Sequence, residues 1–164
     1  MTDRRLIYLD HSLPDTATEI HAVMMAAYQV EAELLGVLDF APLRRTAVQI
    51  SLAESFFLGV LVGARPVAVA ELETGSMEAI NIASLVVLPA YFRRGLATAL
   101  LRRILADEGG RRISVSTGSG NHPALALYDA LGFRNHRRWT TNDGIPMVTL
   151  VRKPGGRGLE PSQV

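Results

Sequence analysis

The sequence predicts a single α/β domain, a mixed β-sheet with helices on both of its faces. Three observations carry that expectation. The 164 residues are 48% apolar and 20% charged, which suits one globular unit large enough for its own core. Residues 56–88 read as three consecutive strands joined by short turns. Beyond them helices and strands alternate, so only the second half has the rhythm of a crossover-connected sheet.

Taken in order, Leu6 to Leu9 forms a short first strand. Thr16-Ala17-Thr18-Glu19 has the spacing of a capping box. Ile20, Val23, Met24, Ala27, Leu34 and Leu35 then recur at helical spacing, giving an amphipathic helix to about Leu35. Gly36 stops it, and after a connection over Val37 to Ala41, Pro42 opens a second helix toward Glu54. Phe56–Val62 and Val67–Glu73 pair as a hairpin around Gly63-Ala64-Arg65-Pro66. A turn over Thr74 to Met77 leads into a long strand, Glu78–Leu88, and a helix follows from about Gly95 to Glu108, ended by Gly109-Gly110. Ile113 to Ser116 is a strand, Gly118-Ser119-Gly120 a turn, and Pro123 to Leu131 a helix stopped by Gly132. Phe133–Thr140 and Met147–Lys153 form a last pair of strands around Asn142-Asp143-Gly144. The domain is expected to span residues 1–153, with 154–164 too poor in apolar residues to pack and therefore a flexible tail.

The chemistry centres on Leu85 to Leu101. A β-branched apolar run ends at Pro89, a short turn carries Arg93 and Arg94, and Gly95-Leu96-Ala97 opens a helix. Strand, small-residue turn and helix in that order leave free N–H groups at a helix start, an anion site that two arginines reinforce. A plain strand-turn-helix with solvated arginines has the same pattern.

Composition narrows the alternatives. A net charge of +1 offers no basic footprint for nucleic acid. The absence of cysteine excludes disulfides, thiolate metal sites and a cysteine nucleophile, and it suits a reducing compartment. The opening MTDRRLIYLDHS has no apolar targeting core and no run reaches membrane-spanning length. The expected setting is the cytoplasm, with no membrane partner. His11, His21, His122 and His136 lack ligand-like spacing, so no metal is expected.

Val87-Leu88-Pro89 ends the long strand and Phe92-Arg93-Arg94-Gly95-Leu96-Ala97 leads into the next helix, while Asn121, Tyr128 and Leu131-Gly132-Phe133 follow around the last one. In this order they resemble the GCN5-related N-acetyltransferases, the GNAT superfamily. That family has a Val-x-Pro-like strand end and Arg/Gln-x-x-Gly-x-Gly/Ala, then an Asn, a helix with a late Tyr and Leu-Gly-Phe. The likeness is clearest from about Ile82 to Phe133. Phe92 departs from it, replacing the usual Arg or Gln, and so does Asn81, where some members carry a glutamate base.

The resemblance implies the GNAT-like acyl-CoA N-acyltransferase fold, with a mostly antiparallel central sheet. It also implies acetyl-CoA as co-substrate, a small-molecule or peptide amine as acceptor, direct transfer without an acyl-enzyme, and dimerisation as a family habit. Leu85, Val86 and Val87 would align the pantetheine arm, and an amide there would polarise the thioester. Backbone amides from Arg93 through Arg94, Gly95, Leu96 and Ala97 to Thr98 would hold the pyrophosphate. Asn121 would either cap its helix or bond the donor's arm, and both roles are compatible. Tyr128 would protonate the departing thiolate, or else be an ordinary tyrosine reaching water.

The base is open. Glu71 and Glu73 share a strand face with Val67 and Val69 by period two. If that face is inward Glu71 reaches the cleft; if it turns outward both are solvated. Ser84 and Trp139 are further cleft candidates. The loop from Leu35 to Leu43, apolar but for Asp39, suits a small or apolar amine better than a polyanion. Two other readings compete. The same fold would serve as a catalytically silent CoA-binding or partner-binding module, and Gly118-Ser119-Gly120 would serve as a nucleotide loop, although it lacks the full Rossmann fingerprint.

Overall fold

A computed structural model describes residues 3–155; residues 156–164 of the tail predicted over 154–164 lie outside the described residues. The chain begins with strand β1 (Arg4–Leu9), helix α1 (Pro14–Leu35), a 3-10 turn (Ala41–Arg44) and the short helix α2 (Ala47–Ser51). Strands β2 (Phe56–Val62), β3 (Arg65–Thr74) and β4 (Ala79–Val87) follow, then a second 3-10 turn (Pro89–Tyr91). The second half comprises α3 (Leu96–Glu108), β5 (Arg112–Gly118), α4 (His122–Ala130), β6 (Arg134–Thr140) and β7 (Pro146–Arg152). The seven strands form one sheet in the order β1-β2-β3-β4-β5-β7-β6. Every pairing is antiparallel except β4 with β5, which the crossover helix α3 connects. This is the mixed, mostly antiparallel sheet that the sequence and its resemblance predict.

Helices cover both faces. The apolar stripe of α1 (Ile20, Val23, Met24, Ala27) and Ile50 of α2 pack on Phe57, Val69 and Val86 on one side. Leu96, Leu100, Leu101 and Ile104 of α3, with Tyr128 of α4, pack on Leu58, Ala70, Ile82 and Val115 on the other.

Two helix starts differ from expectation. α1 begins at Pro14 with Leu13 as an uncapped N-cap, and Thr16 lies inside the first turn. Proline presets the helical φ and removes one of the N–H groups that a helix start leaves unpaired, so the helix begins here without a side-chain cap. The capping box sits instead at Thr46, whose hydroxyl accepts from Gln49 N at 3.2 Å while Gln49 Oε1 accepts from Thr46 N at 2.9 Å. α2 therefore starts at Ala47, and Pro42 belongs to the 3-10 turn before it. The β2–β3 turn is shorter than predicted. Pro66 lies within β3, where a register shift lets the sheet accept a residue without an N–H.

Candidate active site

The site is an opening in the sheet. β4 and β5 pair only from Ala79 with Arg112 to Ile82 with Val115. Beyond Ile82, β4 stays bonded to β3, with a register shift that leaves Ala83 unpaired, and has no partner on its other side. Leu88 N donates to Val67 O of β3 at 2.8 Å. Along an antiparallel strand the backbone groups alternate in direction, so Val86 and Ser84 also turn toward β3. The amides of Leu85 and Val87 therefore face the opening.

A cavity of about 600 Å³ leads from that opening to the start of α3, and Arg93, Gly95, Leu96, Ala97 and Thr98 line its far end. Arg93 (φ 59°) and Gly95 (φ 74°) are both left-handed, a turn geometry that points successive amides one way. No side chain caps α3. The N–H groups of Leu96 to Thr98 thus keep no intrahelical partner, and the helix dipole adds to their attraction for an anion. Arg94 is off this wall, its guanidinium 5.0 Å from the Tyr91 ring centre.

A second cavity, about 370 Å³, opens on the other side of the β4–β5 gap. Glu31, Leu85, Asn121, Ala124 and Tyr128 line both, so the cavities meet at these residues. The Tyr128 ring is buried and packs edge-on against Phe133 at 5.5 Å. Its hydroxyl has no hydrogen-bond partner among the described residues and is not sealed from the cavity. Burial first, then Glu31 and Tyr28, push its pKa up, and the phenol stays protonated. Asn121 caps α4, its Oδ1 accepting from Ala124 N at 3.3 Å.

Two carboxylates near the junction have opposite surroundings. Glu71 is buried, and Arg45 grips both its oxygens at 2.6 and 2.8 Å. Ser55 donates to it at 2.7 Å and Ser84 at 3.3 Å. Burial alone would raise its pKa, but these donors and the Arg45 charge outweigh burial and hold it below the usual carboxylate range. Glu31 has no ion-pair partner among the described residues. Burial raises its pKa, against a smaller opposing pull from the Asn121 amide.

A family model described as "Acetyltransferase (GNAT) family" matches residues 18–133, a span that carries both walls of the opening. The chain belongs to the GNAT family. Among solved structures, the ribosomal-protein-S18-alanine N-acetyltransferase from Escherichia coli superposes on this GNAT domain with a TM-score of 0.72 at 17% identity. That match covers 96% of this chain and 99% of that one. PaiA N-acetyltransferase from Thermoplasma acidophilum, in complex with coenzyme A, gives 0.70 at 14% identity, over 92% and 99% of the two chains. These likenesses are of fold. The UPF0157 protein YqkA of Bacillus subtilis (strain 168) is 32% identical over 128 residues, 77% of this chain and 37% of that protein. The GNAT chain thus spans little more than a third of the curated relative it matches.

Most predicted site residues of this GNAT domain meet at the opening. Leu85, Val86, Val87, Arg93, Gly95, Leu96, Ala97, Thr98, Asn121 and Tyr128 line the first cavity, although Val86 turns its amide to β3. Glu71 lies on the inward face but lines neither cavity. Glu73 is exposed and accepts from Asn81 Nδ2 at 3.0 Å, away from the gap. Asp39 is ion-paired with Arg44 on the surface, so the second cavity takes its carboxylates from Glu31 and Asp143. Ser84 and Trp139 both line that cavity. No group of three His, Cys, Asp or Glu residues suits a metal, and no helix is long and apolar enough to cross a membrane, among the described residues. The sequence reading passed over Glu31 and Tyr28. The available signal was the α1 stripe itself, in which Ile20, Val23, Met24 and Ala27 predict an apolar residue at position 31.

Proposed function

We propose that this domain transfers an acetyl group from acetyl-CoA to a primary amine by direct attack within a ternary complex. The junction carries the reading: two outward amides, a protonated tyrosine and two cavities converge on one point. The residues present fit the donor. Uncapped amides of Leu96 to Thr98, with Arg93, would hold its pyrophosphate. Leu85 and Val87 would bond its pantetheine arm as an added strand, and their N–H groups would meet the oxygen that gains charge during attack. Asn121 lies along the same path. Phe92, in place of a polar residue, would add no side-chain hydrogen bond to this binding. A cysteine-free chain acting on a thioester fits a cytoplasmic setting.

Tyr128 is the acid in this proposal. Its hydroxyl has no hydrogen-bond partner among the described residues, and its raised pKa keeps a proton available for the thiolate. We assign Glu71 a positioning role, because all its donors are internal. The test is steady-state transfer to an amine panel by the wild type and Tyr128→Phe, with CoA binding measured beside it. Tyr128→Phe is expected to bind CoA normally and lose about 100-fold in kcat. Binding of CoA with no transfer to any amine would leave a silent CoA-binding module instead.

A further inference from the structure

We propose that Glu31 and Tyr28 form an ammonium seat at the junction. The acceptor is a primary amine with an apolar body and no carboxylate beside its nitrogen, and Glu31 takes the ammonium's proton. This rests on the acetyl-transfer reading and adds the acceptor class and the base.

Glu31 occupies a position where the α1 stripe calls for an apolar side chain, and it faces both cavities beside Tyr128. A half-buried carboxylate with no cation costs free energy that an arriving cation would offset. Glu71, in contrast, is fully engaged by Arg45 and the two serines.

Tyr28 supplies the second contact through the polarity of its hydrogen bonds. An ionised Glu71 only accepts, so the Ser84 proton points at it. Tyr28 and Ser84 lie 2.6 Å apart, so Tyr28 must then donate to Ser84. Burial lifts the Tyr28 pKa to about 12, which keeps that proton in place. Its oxygen is left as an acceptor for an N–H of the ligand. Tyr28 accepts where Tyr128 donates.

The second cavity's wall fits the class. Phe40, Trp139, Ile145 and Met147 are apolar or aromatic, its charged side chains are Glu31 and Asp143, and no Lys, Arg or His lines it among the described residues. A carboxylate next to the amine would meet repulsion with no cation to offset it.

The protons balance. The ammonium gives one proton to the Glu31 carboxylate, and the freed lone pair forms the C–N bond at the thioester carbon. As the C–S bond breaks, the thiolate takes the Tyr128 proton. The second nitrogen proton restores Tyr128, and Glu31 releases its own to solvent through the open cavity. Among the described residues, the titratable or charged groups that share cavities with Glu31 are Tyr28 on its own helix, Tyr91 in the second 3-10 turn, Tyr128 on α4, Arg93 before α3 and Asp143 before β7.

The experiment has two readouts. The CoA-saturated protein is titrated calorimetrically at pH 7 with 2-phenylethylamine, 2-phenylethanol and phenylalanine. The wild type should prefer the amine by about tenfold or more, and Glu31→Gln should lose that preference while still binding CoA, which reports an intact fold. With acetyl-CoA, Glu31→Gln should lower kcat for the amine by about 100-fold at pH 7 and move the acidic limb up toward the amine's own pKa. With hydroxylamine, largely uncharged at that pH, the loss should shrink to a few-fold. No amine preference in the wild type, an unmoved limb, or an equal loss with hydroxylamine overturns the proposal. Acetylation of phenylalanine as fast as of phenylethylamine overturns it while leaving acetyl transfer standing. CoA binding with no acetylation of any amine removes both.

Discussion

Glu71 and Glu31 are the same residue type, and their surroundings shift them in opposite directions. The Glu71 pKa is lowered in the fold. Its contribution to stability is therefore present above the ordinary glutamate pKa of about 4.5 and lost as pH falls through and below that value. Glu71→Gln leaves the Arg45 guanidinium without its anion and should cost about 3 kcal/mol at neutral pH. Denaturant melts across pH should show the gap between wild type and variant closing as the solution is acidified. Turnover should fall with the acidic limb of kcat unmoved, because a positioning residue does not titrate in the reaction; a displaced limb would return the base role to Glu71. Period two along β3 placed Glu71 on the face of Val67 and Val69 but left open whether that face turns inward. Its partner was not legible, because Arg45 lies 26 residues earlier on a connection whose path only the tertiary fold sets.

At the scale of elements, the strand-turn-helix from β4 to α3 was readable because proline, glycine and the apolar run each act locally. What lay beyond local reading was the alternation of amides along β4, since it depends on which neighbour each residue faces. The start of α3 tests the donor site. A Cβ at Gly95 would meet nothing within 4 Å, yet φ there is 74°. Gly95→Ala should therefore cost about 1–2 kcal/mol of stability through backbone conformation alone. Gly95→Glu adds an anion where the pyrophosphate would sit. At an effective surface dielectric this is enough to weaken CoA binding by about tenfold or more beyond the alanine variant. Calorimetric titration of both variants with CoA separates the two effects, and equal affinities would place the phosphates elsewhere.

For the whole molecule, the decisive event is that β7 inserts between β5 and β6 while β4 and β5 part after Ile82. Sequence order showed a final strand pair but not the insertion, because long-range pairing follows from burial of whole faces rather than from any one segment. The insertion sets the end of β5 against the C-terminal turn of α1. A Cβ on Gly118 would come within 2.7 Å of Leu35 Cδ2, so glycine is what lets that helix close over the second cavity. Gly118→Ala must rotate the Leu35 side chain, at about 1 kcal/mol. Gly118 and Leu35 wall the second cavity and not the first. The variant should raise the KM for the amine several-fold and leave the affinity for CoA near that of the wild type. Steady-state kinetics with each substrate varied in turn decides it. A matching loss for both substrates would mean that α1 and β5 move as one body with the donor site.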